Sequence, residues 1–214
     1  TDMASTVAAI AAARPDVVIN TINGNSNPAF FRALADAGLD ARSTPVLSFA
    51  LGESELATMA DVPVAGHYVA WSYLQGLPIP ANQEFLARWR RRHPDRPMSE
   101  PMVEAYTAVR LWAQAAEAAD SFDPGTVARA SRGASIASPG GFTYIDEDNG
   151  HAWRNLSVAR IQPDRSLDLV WQERAPVAAE PWPASRSREE WQTLLDDLQA
   201  GWGGAWQAPA ASSP

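Results

Sequence analysis

Along the first third of the chain, short β-branched runs alternate with segments of helical period. Val7, Ile10 and Ala11 recur at helical spacing until Arg14-Pro15-Asp16 stops that helix. Val17 to Ile22 follows as a largely apolar run, the pattern of a strand covered on both faces in a parallel sheet. Asn23-Gly24-Asn25-Ser26-Asn27-Pro28 turns the chain into a helix from about Pro28 to Ala37 closed by Gly38, and Pro45 to Phe49 predicts a second strand. Leu51 to Leu56 reads as a loop entering a short helix through Met59, and Gly66 to Tyr73 predicts a third strand. This order of strand and helix marks a doubly wound α/β layer, in which ligands sit beyond the carboxyl ends of the strands. The loops Asn23 to Asn27 and Ser48 to Glu53 both fall there.

Past Gly76-Leu77-Pro78-Ile79-Pro80 the period becomes helical. A helix from about Asn82 to Arg92 carries Phe85, Leu86 and Trp89 on one face and Arg88, Arg90, Arg91 and Arg92 toward its end. Positive charge there complements the helix dipole, and a solvated basic end is favoured over a specific anion site. The helix after Ser99 has Pro101 in its first turn and an apolar stripe at Met102, Ala105, Tyr106, Val109, Trp112, Ala113 and Ala116. Asp123-Pro124 opens a shorter helix toward Ala130. From Gly140 three short strands, Phe142 to Ile145, Ser157 to Ile161 and Leu167 to Trp171, predict an antiparallel addition, with turns at Asp146 to Gly150 and at Pro163-Asp164. Beyond Arg174 a Pro-rich linker leads to a helix from Ser187 to about Ala200 and a tail expected to be mobile.

Composition narrows the chemistry. With 46% hydrophobic and 20% charged residues over 214 positions the chain is globular. A net charge of -8 argues against a nucleic-acid partner, which demands clustered positive charge. All 17 basic residues are arginine, so no lysine is present for a Schiff base or a Walker-type phosphate loop. The absence of cysteine removes disulfides, thiolate nucleophiles and Cys-based zinc sites. No stretch approaches the roughly 20 apolar residues of a membrane span.

Candidate motifs for catalysis are weak. Gly52-Glu53-Ser54-Glu55-Leu56 begins like a nucleophile elbow but lacks the second glycine, and Ser54 is expected to cap the following helix with Glu53 and Glu55 at its positive end. His67, His93 and His151 share no metal-ligand spacing. Asp146 to Gly150 lacks the distant glutamate of a calcium loop and reads as a hairpin turn. The Asn-rich loop after Ile22 has a single glycine and no dinucleotide fingerprint; its amides suit either turn chemistry or a ligand rich in N-H and C=O groups.

Several segments in order resemble the amide and urea receptors of the type I periplasmic binding fold. They are Pro15 to Asn27, Pro45 to Phe49 with Glu53 to Leu56, Ala65 to Tyr73, and Glu104 to Val109. Ser138-Pro139-Gly140-Gly141 and Asn149-Gly150-His151-Ala152-Trp153 continue the match, and Pro181 to Gly204 looks like the urea-receptor group in particular. The resemblance runs from the start of the chain to about Trp206. It implies an α/β doubly wound parallel sheet with a C-terminal antiparallel strand addition, within a two-lobe architecture that is incomplete because the chain starts inside a lobe.

Under that resemblance residues 1–75 are an α/β lobe, 76–137 a helical segment of the other lobe, 138–174 strands returning to the first, and 175–214 a linker, helix and tail. It implies the substrate-binding component of an ABC importer for urea or short-chain amides, not an enzyme, with no cofactor and no metal. The partners would be the small solute, a membrane permease, and a second chain or missing lobe completing the cleft. The location would be periplasmic or extracellular, with an export signal upstream of Thr1. Ligand-facing positions carried over are Asn23, Ser48, Phe49, Gly52, Glu53, Met102, Glu104 and Tyr106; Tyr106 also fits the core. The alternatives are an intracellular amide sensor, a branched-chain amino acid receptor and, less favoured, an amide hydrolase.

Overall fold

The computed structural model describes residues 2–206, so most of the tail lies outside the described residues. The chain divides into two compact units, Thr1–Ala178 and Ala179–Pro214. In the first unit the elements run α1 (Ala4–Ala13), β1 (Val18–Asn20), α2 (Ser26–Asp36), β2 (Val46–Ser48), α3 (Glu53–Leu56) and β3 (Tyr68–Trp71). They continue α4 (Pro80–Arg92), α5 (Glu100–Ala119), α6 (Pro124–Ala130), β4 (Ser135–Ser138), β5 (Gly141–Ile145), β6 (Ala152–Trp153), β7 (Ser157–Ile161) and β8 (Leu167–Gln172).

β1, β2 and β3 are parallel neighbours, registered Asn20 against Ser48 and Ser48 against Val69, so their carboxyl ends finish together. β7 joins β3 antiparallel and β8 pairs with β7, giving the order β1-β2-β3-β7-β8. The strands expected after Gly140 are all antiparallel but divide between two sheets: β5 pairs with β4 and β6 in a separate three-stranded sheet. The expected turn closes the β5-β6 hairpin, where Asp146 Oδ1 accepts from the backbone N-H groups of Asp148 and Asn149.

The main core lies under α2, where Phe30, Phe31 and Leu34 pack with Val46, Val69, Leu56, Val64 and Ile161. Leu34 is 1% exposed, so truncation to Ala would cost on the order of 2–5 kcal/mol. Two expectations change here. β1 is the outer strand, and since α1 joins α2 in the same cluster, Ile19 on the strand's second face stays 57% exposed instead of being covered. The buried residues of α5 are Val103, Thr107, Leu111, Ala115 and Ala116; of the predicted stripe Ala116 is buried and Met102 packs on the core, whereas Val109 and Trp112 remain exposed. The helix is apolar on more than one side, and its contacts with α6 and β4 select a face that periodicity alone did not distinguish.

The second unit holds α7 (Arg188–Gly201), opened by a capping box in which Glu190 N-H donates to Ser187 Oγ and Ser187 N-H to Glu190 Oε2. The indole of Trp191 donates to Pro183 O, and Arg186 lies over its ring.

His67 is a buried polar residue whose Nδ1 accepts from Val46 N-H at 3.0 Å while its ring packs 5.2 Å from Phe31. Burial pushes the imidazole down to about 4. Its ordinary value is about 6.5, so between those values the unfolded chain takes up a proton that the folded chain refuses. Stability is therefore full above about pH 6.5 and is lost as pH falls toward about 4. Urea denaturation across that window should show this slope, and His67→Gln, which keeps an acceptor for Val46, should remove it; an unchanged slope in the variant would assign it elsewhere.

Candidate functional site

The carboxyl ends of β1 and β2 are organised by one carboxamide. Asn20 Nδ2 donates to Asn27 Oδ1 at 2.9 Å and to Ser48 Oγ at 3.0 Å, and its Oδ1 accepts from Ile22 N-H at 2.9 Å. Asn27 Nδ2 in turn donates to Ile22 O at 2.8 Å, folding residues 21–26 back over the strand end. Gly24 takes the left-handed conformation this tight loop requires, with φ of 65°. Asn20, Asn27 and Ser48 are buried; Asn23 and Phe49 stand exposed beside them. The register of the two strands thus brings the predicted Asn23, Ser48 and Phe49 to one end of the sheet.

Beyond β2 the chain enters α3. Its cap is Gly52, not Ser54: the Gly52 N-H donates to Glu55 Oε2 at 2.9 Å, and Ser54, inside the helix, donates to Ser99 Oγ and Glu55 Oε1. Gly52 is where α3 meets the start of α5, since a Cβ there would lie 3.3 Å from the Ser99 side chain. The indole of Trp71 at the end of β3 donates to Leu51 O. The Pro139-Gly140-Gly141 turn packs against the same strand end, and Gly141, with φ of 104°, leaves room for the Asn155 amide that bonds Gly140 O at 2.7 Å.

Behind these loops lies a half-buried charged network. Arg154 donates to both oxygens of Glu104 and to Ser72 Oγ, and Ser72 donates to Glu100 Oε1. Glu53 Oε1 accepts from Gln75 N-H, and Gln75 Oε1 accepts from Met98 N-H at 2.8 Å. One oxygen each of Glu53 and Glu100 is buried without a partner. Burial pushes the Glu53 carboxyl up to about 7, opposed by its backbone hydrogen bonds and reinforced by Glu55 and Glu100. Burial likewise raises Glu100, against the Ser72 hydrogen bond and the Arg154 charge, and it lowers Arg154.

Gly52 and Glu53 thus sit at the α3–α5 junction and Glu104 is tied to Arg154. Met102 packs half-buried against the main core, while Tyr106 turns toward α4, with its ring 4.8 Å from Phe85. Asn20, Asn27, Ser72, Glu100 and Arg154 were not singled out as site residues in sequence; Asn27 closes the Asn-rich loop and had a local signal, whereas Arg154, 82 positions from Ser72, had none. Among the described residues no group of three metal-ligating side chains converges, and no helix is long and apolar enough to cross a membrane. Both serine hydroxyls here are tied into the network: Ser54 bonds Glu55 and Ser99, and Ser72 bonds Glu100 and Arg154.

The raised carboxyl of Glu53 has a measurable consequence. From about pH 4.5 upward the unfolded chain releases the Glu53 proton while the folded chain holds it to about pH 7. Stability therefore falls as pH rises through that window, by up to about 3 kcal/mol. Glu53→Gln, which keeps the acceptor for Gln75 N-H, should raise urea stability at pH 8 and leave it nearly unchanged at pH 4. Equal effects at both pH values would mean that folding does not raise the Glu53 carboxyl.

Comparison with known proteins agrees with this architecture. A solute-binding protein of an ABC transporter from Rhodopseudomonas palustris HaA2, solved with p-hydroxybenzoic acid, superposes with a TM-score of 0.74 at 21% identity, covering 87% of this chain and 52% of its own. The closed leucine-, isoleucine-, valine-, threonine- and alanine-binding protein of Brucella ovis gives 0.72 at 18% identity, covering 87% and 50%. This chain spans about half the length of those structures. A Geobacillus stearothermophilus protein named limonene hydroxylase is 30% identical over 124 residues, 58% of this chain and 23% of that protein. A family model described as periplasmic binding protein domain matches residues 1–188. With that match over most of its length, and with the strand order and strand-end loops described above, the chain belongs to the periplasmic binding protein domain family.

Proposed function

We propose that this chain supplies part of the solute-binding component of an ABC importer and that its ligand is urea or a short-chain amide, held beyond the carboxyl ends of β1 and β2. In this reading residues 1–75 and the returning strands of 138–174 build one lobe, and residues 76–137 belong to the other. The protein works outside the inner membrane, in the periplasm or at the cell surface, and hands its solute to a membrane permease. Asn23, Ser48, Phe49, Gly52 and Glu53 face the ligand from the strand ends, and Met102, Glu104 and Tyr106 from α5.

The observation that carries the choice of ligand is the chemistry of the strand ends. Residues 20–27 and 46–52 present amides, hydroxyls, backbone groups and one exposed aromatic ring; of the charged groups beside them Glu53 and Glu104 are acids, and Arg154 is held by Glu104. A carboxylate, such as the ligands of the aromatic-acid and amino acid receptors of similar fold, needs a cation or several aligned donors to offset its desolvation. A neutral amide needs only its own donors and acceptors met, and carboxamide side chains meet both kinds. An intracellular amide sensor would use the same surface. An amide hydrolase would need a nucleophile facing the solute, and it is the less favoured reading because the hydroxyls of Ser54 and Ser72 are turned to Ser99, Glu55, Glu100 and Arg154.

Calorimetric titration of the protein with urea, acetamide, leucine and 4-hydroxybenzoate tests the assignment. Urea or acetamide should saturate without turnover, and Asn23→Ala should weaken that binding about tenfold, the loss of one good hydrogen bond in a closed site. Binding of leucine or 4-hydroxybenzoate in place of the amides would overturn the ligand assignment, and release of ammonia would overturn the receptor reading.

A further inference from the structure

α4 ends in the densest charge of the molecule. Between residues 88 and 96 the chain carries five arginines and one aspartate, within a protein of net charge -8. Phe85, Arg88, Trp89, Arg92 and His93 recur at the three- and four-residue spacing that lines one face of a helix. Opposite that face stands Tyr106 of α5. Between them lies a cavity of about 430 Å³, to which Arg91 also contributes. No acidic side chain lines it.

The walls are fixed. Phe85 and Tyr106 pack with ring centroids 4.8 Å apart, and Trp89 and His93 at 4.1 Å. The Trp89 indole donates to Arg96 O at 2.7 Å, and the Arg96 and Arg110 guanidinium groups lie over the Trp89 and Tyr106 rings. The guanidinium groups of Arg88, Arg91 and Arg92 make no ion pair or side-chain hydrogen bond in the described structure; other exposed arginines such as Arg32 and Arg42 make none either, but these three line one cavity. A solvated helix end would explain the charge alone; it does not explain an aromatic-walled hollow with three uncommitted forks at its mouth.

We propose that this cavity is a binding site for a small aromatic phosphate, a planar ring carrying a phosphate dianion. Guanidinium forks match phosphate geometry bidentately, and three of them suit a group of about two negative charges. The volume lies in the range of organic ligand pockets, far above that of a bare phosphate. Phe85, Trp89 and Tyr106 supply the surface on which a ring packs. The site shares only Tyr106 with the residues proposed to face the solute; its arginines, Phe85 and Trp89 belong to α4, and it does not depend on which solute binds at the strand ends.

Titration of the protein at low ionic strength with phenyl phosphate, inorganic phosphate and phenol tests this. Phenyl phosphate should bind at least tenfold more tightly than inorganic phosphate, and phenol should not saturate. The double variant Arg88→Ala/Arg92→Ala should weaken phenyl phosphate at least tenfold, whereas Arg42→Ala/Arg174→Ala, which removes the same charge from exposed positions elsewhere, should leave it unchanged. Trp89→Leu should reduce the preference for phenyl phosphate over phosphate. The exposure of the four arginines keeps these variants folded, and circular dichroism verifies it. Equal affinity for phosphate and phenyl phosphate, equal loss in both double variants, or no binding at all would each overturn the site.

Discussion

A single carboxamide, that of Asn20, holds the working end of the parallel sheet together. It is buried at the last position of β1, where water cannot satisfy it, and every one of its polar groups is instead paired inside the protein. One donor crosses to Ser48 on β2 and so fixes the strand ends side by side; the other reaches Asn27 and closes the loop between them. Removing it would strand Asn27 and Ser48 as buried groups, at about 1–3 kcal/mol for each unsatisfied partner. The stakes are therefore structural before they are functional: the path of residues 21–26, and with it the exposure of Asn23, follows from satisfying one buried amide.

The junction between α5 and the sheet obeys a different constraint. Arg154, half-buried, is the cation bonded into this junction; it faces Glu104 and Glu100, and Glu53 feels the charge of Glu100. One guanidinium cannot neutralise three carboxylates away from water, so the surplus negative charge must be relieved by proton uptake. Glu104 is gripped by both arms of the fork; Glu53, bonded only to backbone, is driven up to about 7. The start of α5 is consequently tethered by polar groups whose balance depends on pH, beside the apolar packing of Met102 and Val103 on the main core.

The parts of this molecule legible in sequence are those governed by local rules. β1, β2 and β3 announced themselves through β-branched runs, and the Asn-rich loop and the Asp146 turn through residues that tolerate tight backbone. β4 passed unnoticed because Ser135-Ile-Ala-Ser138 is short and mixed, and its pairing with β5 is what makes it a strand. α5 was found but its buried face only in part: period gives the stripes of a helix, not which neighbour each will meet. Ser54 was assigned a capping role that belongs to the backbone of Gly52, one of the few residues that lets α5 approach so closely. Least legible was the Arg154 network, since partners 50 and 82 positions apart leave no local pattern.

Charge is segregated along the chain in a way that bears on selectivity. The strand ends of β1 and β2 are neutral, whereas α4 concentrates cations that an acidic protein otherwise disperses. Beyond a Debye length, about 8 Å at physiological salt, an approaching anion is largely indifferent to either surface. Within that distance it gains from the arginine forks and nothing from the strand ends, where its desolvation would go uncompensated. A neutral amide experiences the opposite preference, because it gains little from isolated cations and much from a row of matched donors and acceptors. On the two proposals together, selection between the surfaces needs no gate or steric filter: the ligand's own charge decides which surface can offset the loss of its water.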